Sequence, residues 1–272
     1  MTRRAGPLFP VLLALALFGG VVAAPGRTPA VGQTAGAPQK LFLRENDLTA
    51  RLRAWAQAIG RDLAQLAMGH DADQAIGDLG RRRLEFAGNL RALRQRDRGA
   101  EEYWPITPEI ERYLTEVEAV WPELDRMIGE AITWGHLTHS EALTFDAAAE
   151  RLDTGLDGLQ AAYRAAAIDY GVHSVILNAI AVAEEQRVLS QEIGKTFILT
   201  RYGIDAPENR ERLAAAVATF DRDMGGLVEG DPERGLIAAP TDDIRREFTA
   251  AQAIWSRLRG ALQIDAAASL DA

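Results

Sequence analysis

The chain of 272 residues contains no cysteine. This absence excludes disulfide bonds, thiol catalysis, covalent haem attachment and a lipoprotein anchor on a cysteine. Stability must therefore come from packing alone. With 47% apolar and 25% charged residues, the chain has the composition to bury a core in one or two domains.

Basic residues are also in short supply. Thirty Lys and Arg residues stand against 39 Asp and Glu residues, which gives a formal net charge of −9. A phosphate backbone would be repelled by this charge, and no basic stripe with interleaved aromatic residues offsets it. We therefore expect no nucleic-acid partner.

Long apolar runs are confined to the beginning of the chain. Arg3 and Arg4 precede an apolar stretch, which predicts a secretory signal peptide over residues 1–24. The two arginines also fit a twin-arginine signal, but general secretion is the simpler interpretation. A flexible spacer rich in Pro, Gly, Ala and Thr is predicted over 25–40. No later stretch approaches the roughly 18 apolar residues of a membrane span, so we expect a soluble periplasmic protein that is not membrane-inserted after signal cleavage.

The chain contains an internal repeat. Residues 177–258, the second copy, align without gaps on residues 43–124, the first copy, at an offset of 134 with 19 of 82 positions identical. The identical pairs include Arg53 with Arg187, Gln57 with Gln191, Gly60 with Gly194, Gly69 with Gly203, Phe86 with Phe220, and Trp121 with Trp255. The repeat predicts two copies of one three-helix module.

The hydrophobic period is helical throughout. Steps of three and four residues connect a heptad seam in the first copy: Ile110, Leu114, Val117, Trp121, Leu124 and Ile128. Helices are predicted near 41–68, 72–96, 108–137, 141–168, 172–202, 206–228 and 242–264. Asp71 and Asp205, which follow helix-ending glycines, are candidate N-caps. The predicted fold class is all-α, with tandem up-and-down bundles of four plus three helices related by the internal duplication.

The stretch 130–174 has no counterpart in the second copy. Its apolar residues define a face that would complete the first bundle as a fourth helix: Leu143, Ala147, Leu152, Leu156, Leu159 and Tyr163. The predicted domains are a first bundle over 41–170, a second over 171–265 and a tail over 266–272. The second bundle then either has three helices only or closes its core against the first copy.

One segment carries a recognisable motif. The first helix of the second copy, residues 180–195, reads IAVAEEQRVLSQEIGK. It resembles the first helix of the PilJ-like domain, which occurs at the N-terminus of type IV pilus methyl-accepting chemotaxis transducers and, in related form, in the periplasmic region of nitrate/nitrite sensor kinases. The positions that match the family pattern are Ile180, Ala183, Gln186, Arg187, Leu189, Ser190, Gln191 and Lys195. The first copy retains Arg51, Arg53, Gln57 and Arg61.

The resemblance implies a non-enzymatic, extracytoplasmic sensory module. In the nitrate sensors the arginine that matches Arg187 contacts the anion at a dimer interface, and the internal repeat extends this role to Arg53. Glu184, Glu185 and Glu192 replace Gly, Arg and Arg of the family pattern. Their negative charge disfavours nitrate beside Arg187.

The residues alone leave two interpretations of Arg187. It lies at helical spacing with Ala183, Gln191 and Gly194, and a buried arginine on that stripe requires a counter-charge. Glu184 or another acid would supply it as a structural ion pair; an external anion is the alternative. Four helices in up-and-down order would place the first helices of the two copies parallel. The candidate ligand-binding residues are therefore Arg187, Gln191, Arg53 and Gln57, at one shared pseudo-symmetric site.

Other chemistry finds little support in the sequence. His136 and His139 could share a metal ion, but no carboxylate ligands accompany them, and no E-x-x-H motif is present. No catalytic group of nucleophile, base and orienting residue emerges from the spacing. Trp121 and Trp255 are simplest as core residues, with ligand stacking as the alternative. We expect no catalytic residue, no metal and no cofactor.

The favoured function is a periplasmic ligand-binding module that detects a small anion, nitrate-like or nitrite-like, or another small molecule. It would signal through a membrane sensor, a chemoreceptor or a pilus-related protein. The alternative is a helical adaptor of the cell envelope that binds no ligand. A cofactor-carrying bundle of the cytochrome type is disfavoured because the chain has no cysteine.

Overall fold

The computed structural model describes residues 37–69, 71–94 and 106–268, and these residues form seven α-helices without a strand. The all-α prediction is confirmed. The predicted signal peptide, the spacer up to residue 36 and the end of the tail lie outside the described residues. The helices are α1 Ala37–Ala67, α2 Ala72–Arg94, α3 Pro108–Trp134, α4 His139–Asp169, α5 Ser174–Arg201, α6 Ala206–Glu229 and α7 Asp242–Ala268.

The largest differences from the predicted helix boundaries are four residues each, at the start of the first helix and the end of the last. Helix α1 begins at Ala37, inside the segment assigned to the spacer, and α7 continues to Ala268, into the predicted tail. The extension of α7 is rich in alanine, the residue with the highest helix propensity, and α1 has Pro38 in its first turn, where proline is tolerated. No helix in the described ranges combines the length and apolar character that a membrane span needs.

The second and third helices of the two copies begin at equivalent positions. Helices α2 and α6 start at residues 72 and 206, and α3 and α7 start at 108 and 242, an offset of 134 in both cases. The connections match too, since Gly69 and Gly203 both have positive φ, at 62° and 75°. Glycine adopts this left-handed conformation without steric cost, and it ends both first helices.

Asp205, one of the two aspartates predicted as N-caps, does not cap its helix with its side chain. Asp205 has φ 42° and its side chain makes no capping hydrogen bond to α6. A capping side chain normally extends from a β-region backbone, whereas this left-handed residue serves as a linker. The amide of Asn209 instead donates to the carbonyl oxygen of Ile204 at 3.0 Å.

The described chain divides into two compact units, with the boundary between Leu177 and Asn178. In the first unit α1 packs against α2 and α4, and α3 packs against α2 and α4. Every member of the predicted α3 seam is buried, from Ile110 to Ile128. The Trp121 ring stacks on Phe86 with centroids 4.0 Å apart. The first unit is therefore a four-helix bundle with its own core.

Helix α4 completes this bundle, but its buried face starts differently from the prediction. Leu143 and Ala147 are exposed, whereas Ala142, Phe145 and Ala149 are buried. The remaining predicted residues are buried as expected: Leu152, Leu156, Leu159 and Tyr163. The prediction was wrong for the first two turns because an alanine-rich helix offers adjacent stripes of similar apolarity, and the position of the neighbouring helices selects one.

Glycines allow α3 to approach α4 closely. A Cβ atom at Gly158 would meet the Tyr113 ring at 2.1 Å, and one at Gly155 would meet a Val117 methyl at 3.1 Å. A side chain at Gly158 would therefore displace the tyrosine ring. The close contact explains why the middle of a long helix tolerates residues of low helix propensity.

The second unit has a core built from all three of its helices. Helix α5 contributes Leu189, Ile193 and Phe197; α6 contributes Ala216, Phe220 and Met224; and α7 contributes Ala251, Trp255, Leu258 and Leu262. Phe220 and Trp255 repeat the aromatic pair of the first unit, with ring centroids 4.3 Å apart. The prediction that both tryptophans are buried at equivalent positions is confirmed.

Candidate ligand-binding site

Arg187 lies in the middle of α5, and its side chain is 10% exposed. Its Nη1 atom is 3.4 Å from Oε2 of Glu184, one helical turn earlier. The ion pair anticipated from the sequence is therefore present. A carboxylate and an external oxyanion would compete for the same donors, since both accept hydrogen bonds from a guanidinium group.

Two further residues of the PilJ-like motif serve packing inside the second unit. Gln186 donates from Nε2 to the main-chain oxygen of Phe220 on α6, at 3.4 Å. The Ser190 hydroxyl donates to the Arg187 carbonyl oxygen at 2.8 Å. The first bond ties the motif to α6, and the second lies within α5 itself.

The predicted ligand residue Gln191 is buried one turn after Arg187, and Lys195 is buried one turn further on. Three polar side chains of α5, Arg187, Gln191 and Lys195, thus follow one another at spacing four on one stripe of the helix. Buried polar groups are retained only where they find partners, so this stripe marks a specific environment rather than a solvated face.

In the first unit Arg53 is held by helix α4. Its Nη1 atom donates to Oε1 of Gln160 at 3.0 Å and lies 3.2 Å from Oδ1 of Asp157. Its Nε atom lies 3.5 Å from Oδ1 of Asp153. Since α4 has no counterpart in the second copy, the two equivalent arginines have different carboxylate neighbours.

Sequence reasoning missed Gln160, Asp153 and Asp157. Their spacing of four and three was a usable signal, because it places three polar groups on one stripe of a helix whose adjacent stripe is apolar. The predicted ligand residue Gln57 is buried one turn after Arg53, and its Oε1 atom has no hydrogen-bond partner among the described residues.

The proposed shared site combines residues of both units. Arg53 and Gln57 belong to the first unit, and Arg187 and Gln191 belong to the second. Within each unit the arginine precedes the glutamine by one turn on the same helix. Their convergence on one ligand stays a prediction.

A second buried charge cluster in the first unit was also missed. Asp62 is 1% exposed and accepts from Arg61 Nη2 at 2.9 Å. Arg82 of α2 contacts the other carboxylate oxygen. Burial, and then the charge of Arg61, lowers the pKa of Arg82 to about 10. Burial likewise lowers the pKa of Arg61, against the opposing effect of Asp78. This cluster links α1 to α2.

The described parts of the chain were predicted to hold no metal site. They contain no cluster of three or more His, Asp or Glu side chains that could hold a metal ion. His136, in the turn between α3 and α4, and His139, the first residue of α4, are both exposed.

Comparison with known proteins identifies one part of the chain. Residues 178–272 match the family model PilJ, described as "Type IV pili methyl-accepting chemotaxis transducer N-term". No curated protein matches the chain, and no solved structure does. The match begins at the boundary between the two units and contains the whole arginine motif of α5. The second unit is therefore similar to the N-terminal domain of type IV pilus chemotaxis transducers.

Proposed function

We propose that this protein is a periplasmic sensory module that binds a small anion through its PilJ domain and signals through a membrane partner. One observation carries the proposal: the PilJ domain presents the family's Gln-Arg and Ser-Gln motif on α5, with the Arg187 side chain 10% exposed. The function requires no catalysis, because binding that favours one of two conformations is sufficient to transmit a signal.

Arg187 and Gln191 suit an oxyanion of nitrate or nitrite size. A guanidinium group offers paired N–H donors, and a glutamine amide one turn away adds a neutral donor. The chain's net charge of −9 opposes anion binding at long range. Glu184 opposes it locally, because its carboxylate is paired with Arg187. The affinity for an anion therefore depends on the free energy needed to break this ion pair.

The signalling partner is proposed to be a membrane chemoreceptor or a pilus-related signalling protein. The transducer name of the matching family supports this class of partner.

We expect the precursor to be cut near Ala24, because residues 1–24 have the charged and apolar pattern of a signal peptide. N-terminal sequencing and cell fractionation would then find the mature chain in the periplasm. Recovery of the intact precursor from the membrane fraction would contradict this expectation.

Anion binding is tested by thermal melting at constant ionic strength, with nitrate, nitrite or chloride as the varied anion. A ligand at about 100 times its Kd stabilises the native state by about 2.7 kcal/mol. Stabilisation should disappear in Arg187→Ala and increase in Glu184→Gln, which removes the competing charge. Arg210→Ala is the matched control, since it removes an exposed arginine from the neighbouring helix α6.

A second function, a helical adaptor without a ligand, is favoured by the ion pairs of Arg53 and Arg187. Both arginines would then have a structural role. Equal melting temperatures in all three anions, for the wild type and Glu184→Gln alike, would support the adaptor and exclude the anion sensor.

A further inference from the structure

We infer that the first unit contains a closed version of the arginine site, in which Asp153 and Asp157 of α4 occupy Arg53 in place of an external anion. The inference rests on the proposed function for the choice of ligand. Helix α4, which has no counterpart in the second copy, then supplies the carboxylates that compete with an external anion for Arg53.

The positions of the carboxylates support this role. Asp157 Oδ1 lies 3.2 Å from Arg53 Nη1, and Asp153 Oδ1 lies 3.5 Å from Nε. Two edges of the guanidinium group are thus met by oxygen atoms from two residues one turn apart. A bound oxyanion would need the same donors, because it too accepts hydrogen bonds from a guanidinium group.

Gln160 provides a second, independent observation. It is 2% exposed and accepts from Arg53 through Oε1, while its Nε2 atom is buried without a hydrogen-bond partner among the described residues. An unsatisfied buried donor costs about 1–3 kcal/mol. It lies beside the arginine, where an oxygen of a small anion would satisfy it.

Burial differs between the two carboxylates and indicates which one yields. The Asp157 side chain is 57% exposed, whereas that of Asp153 is 24% exposed. An exposed carboxylate regains hydration when it leaves the arginine, so its ion pair contributes little. Asp157 is therefore the group that an anion, or a substitution, displaces more easily.

The test removes the competitors in a background without the second-unit arginine. In Arg187→Ala, nitrate binding measured by calorimetry and by melting should be absent. Adding Asp153→Asn and Asp157→Asn should restore measurable nitrate binding by both methods. Adding Arg53→Met to this triple variant should abolish it again, and chloride at the same ionic strength controls for general salt effects.

Two outcomes would overturn the inference. The triple variant could remain folded and show no nitrate dependence, or the dependence could persist after Arg53→Met. If the triple variant does not fold, the double variant Arg187→Ala with Asp157→Asn replaces it, because Asp153 then remains as a counter-charge for Arg53. Nitrate must stabilise this double variant more than it stabilises Arg187→Ala. Failure of the proposed function is distinguishable, because that is measured as the absence of any anion effect in the wild type and in Glu184→Gln.

Discussion

The two equivalent tryptophans each pack against a phenylalanine ring, but they differ in the hydrogen bond made by the indole N–H. Trp255 is 3% exposed and donates from Nε1 to Oδ1 of Asp221 at 2.6 Å. The position equivalent to Asp221 in the first copy is Ala87, so Trp121 depends on its stack with Phe86 instead. The duplication therefore preserved the aromatic pair and changed the hydrogen bond beside it.

Replacing either tryptophan by alanine should lower the free energy of unfolding by about 3–5 kcal/mol, because each change leaves a large cavity in a packed core. Urea titration followed by circular dichroism measures the loss. Trp134→Ala is the control, since Trp134 is 54% exposed and its removal should change stability by no more than about 0.5 kcal/mol. Equal effects at all three positions would contradict the assignment of the core.

Asp62 balances two arginines that have little access to water. Asp62→Asn should cost about 3–5 kcal/mol of unfolding free energy, because Arg61 and Arg82 would remain buried without their shared carboxylate. Denaturant unfolding measures the cost. The matched variant replaces all three, as Arg61→Met, Asp62→Leu and Arg82→Met. This variant should recover most of the stability, since a well-packed apolar cluster needs no counter-charge; a triple variant as unstable as Asp62→Asn would exclude this explanation.

At the scale of the helix, the start of α4 depends on a reciprocal cap. Thr138 accepts from the Glu141 main-chain N–H, and the Glu141 carboxylate accepts from the Thr138 N–H at 2.7 Å. Thr138→Ala should destabilise the protein by about 0.5–2 kcal/mol. Thr133→Ala, at an exposed site within α3, is the control and should be close to neutral.

The cap also predicts a pH dependence. Hydrogen bonds from the Thr138 hydroxyl and main chain lower the pKa of Glu141 below its ordinary 4.5. A lowered carboxyl pKa means that the folded state releases this proton more readily. The stabilisation is therefore complete above about pH 4.5 and is lost as the pH falls through the lower folded value. The stability difference between wild type and Glu141→Gln should shrink over that acidic interval; a difference independent of pH would refute the capping interpretation.

The elements show where sequence patterns were sufficient. The seam of α3 was predicted residue by residue because its large apolar side chains recur at heptad spacing and leave one choice of buried face. In α4 the pattern failed at Leu143, where alanines on the next stripe offered an equally suitable face. In such a helix the choice depends on which stripe the neighbouring helices cover.

At the scale of the molecule, the first unit has the complement of helices that a bundle needs. A fragment of residues 37–177 should therefore fold alone with a cooperative thermal transition, because α1 to α4 pack on one another. A fragment ending at Trp134 lacks α4 and should be poorly folded, since it exposes the residues that α4 covers. Circular dichroism of both fragments measures the difference, and equal cooperativity in the two would show that α4 is dispensable.

The sequence by itself determined the all-α class, the duplication, the seams of α3 and the identity of the arginine motif. These features follow from local periodicity and from residue identities repeated at a fixed offset, which require no knowledge of long-range contacts. Only the tertiary structure decided which acids meet Arg53, since Asp153 and Asp157 lie about a hundred residues further along the chain. The same applies to Asp62 and Arg82. An ion pair between distant helices depends on how the helices pack, and the spacing of charges within one helix carries no information about its partner.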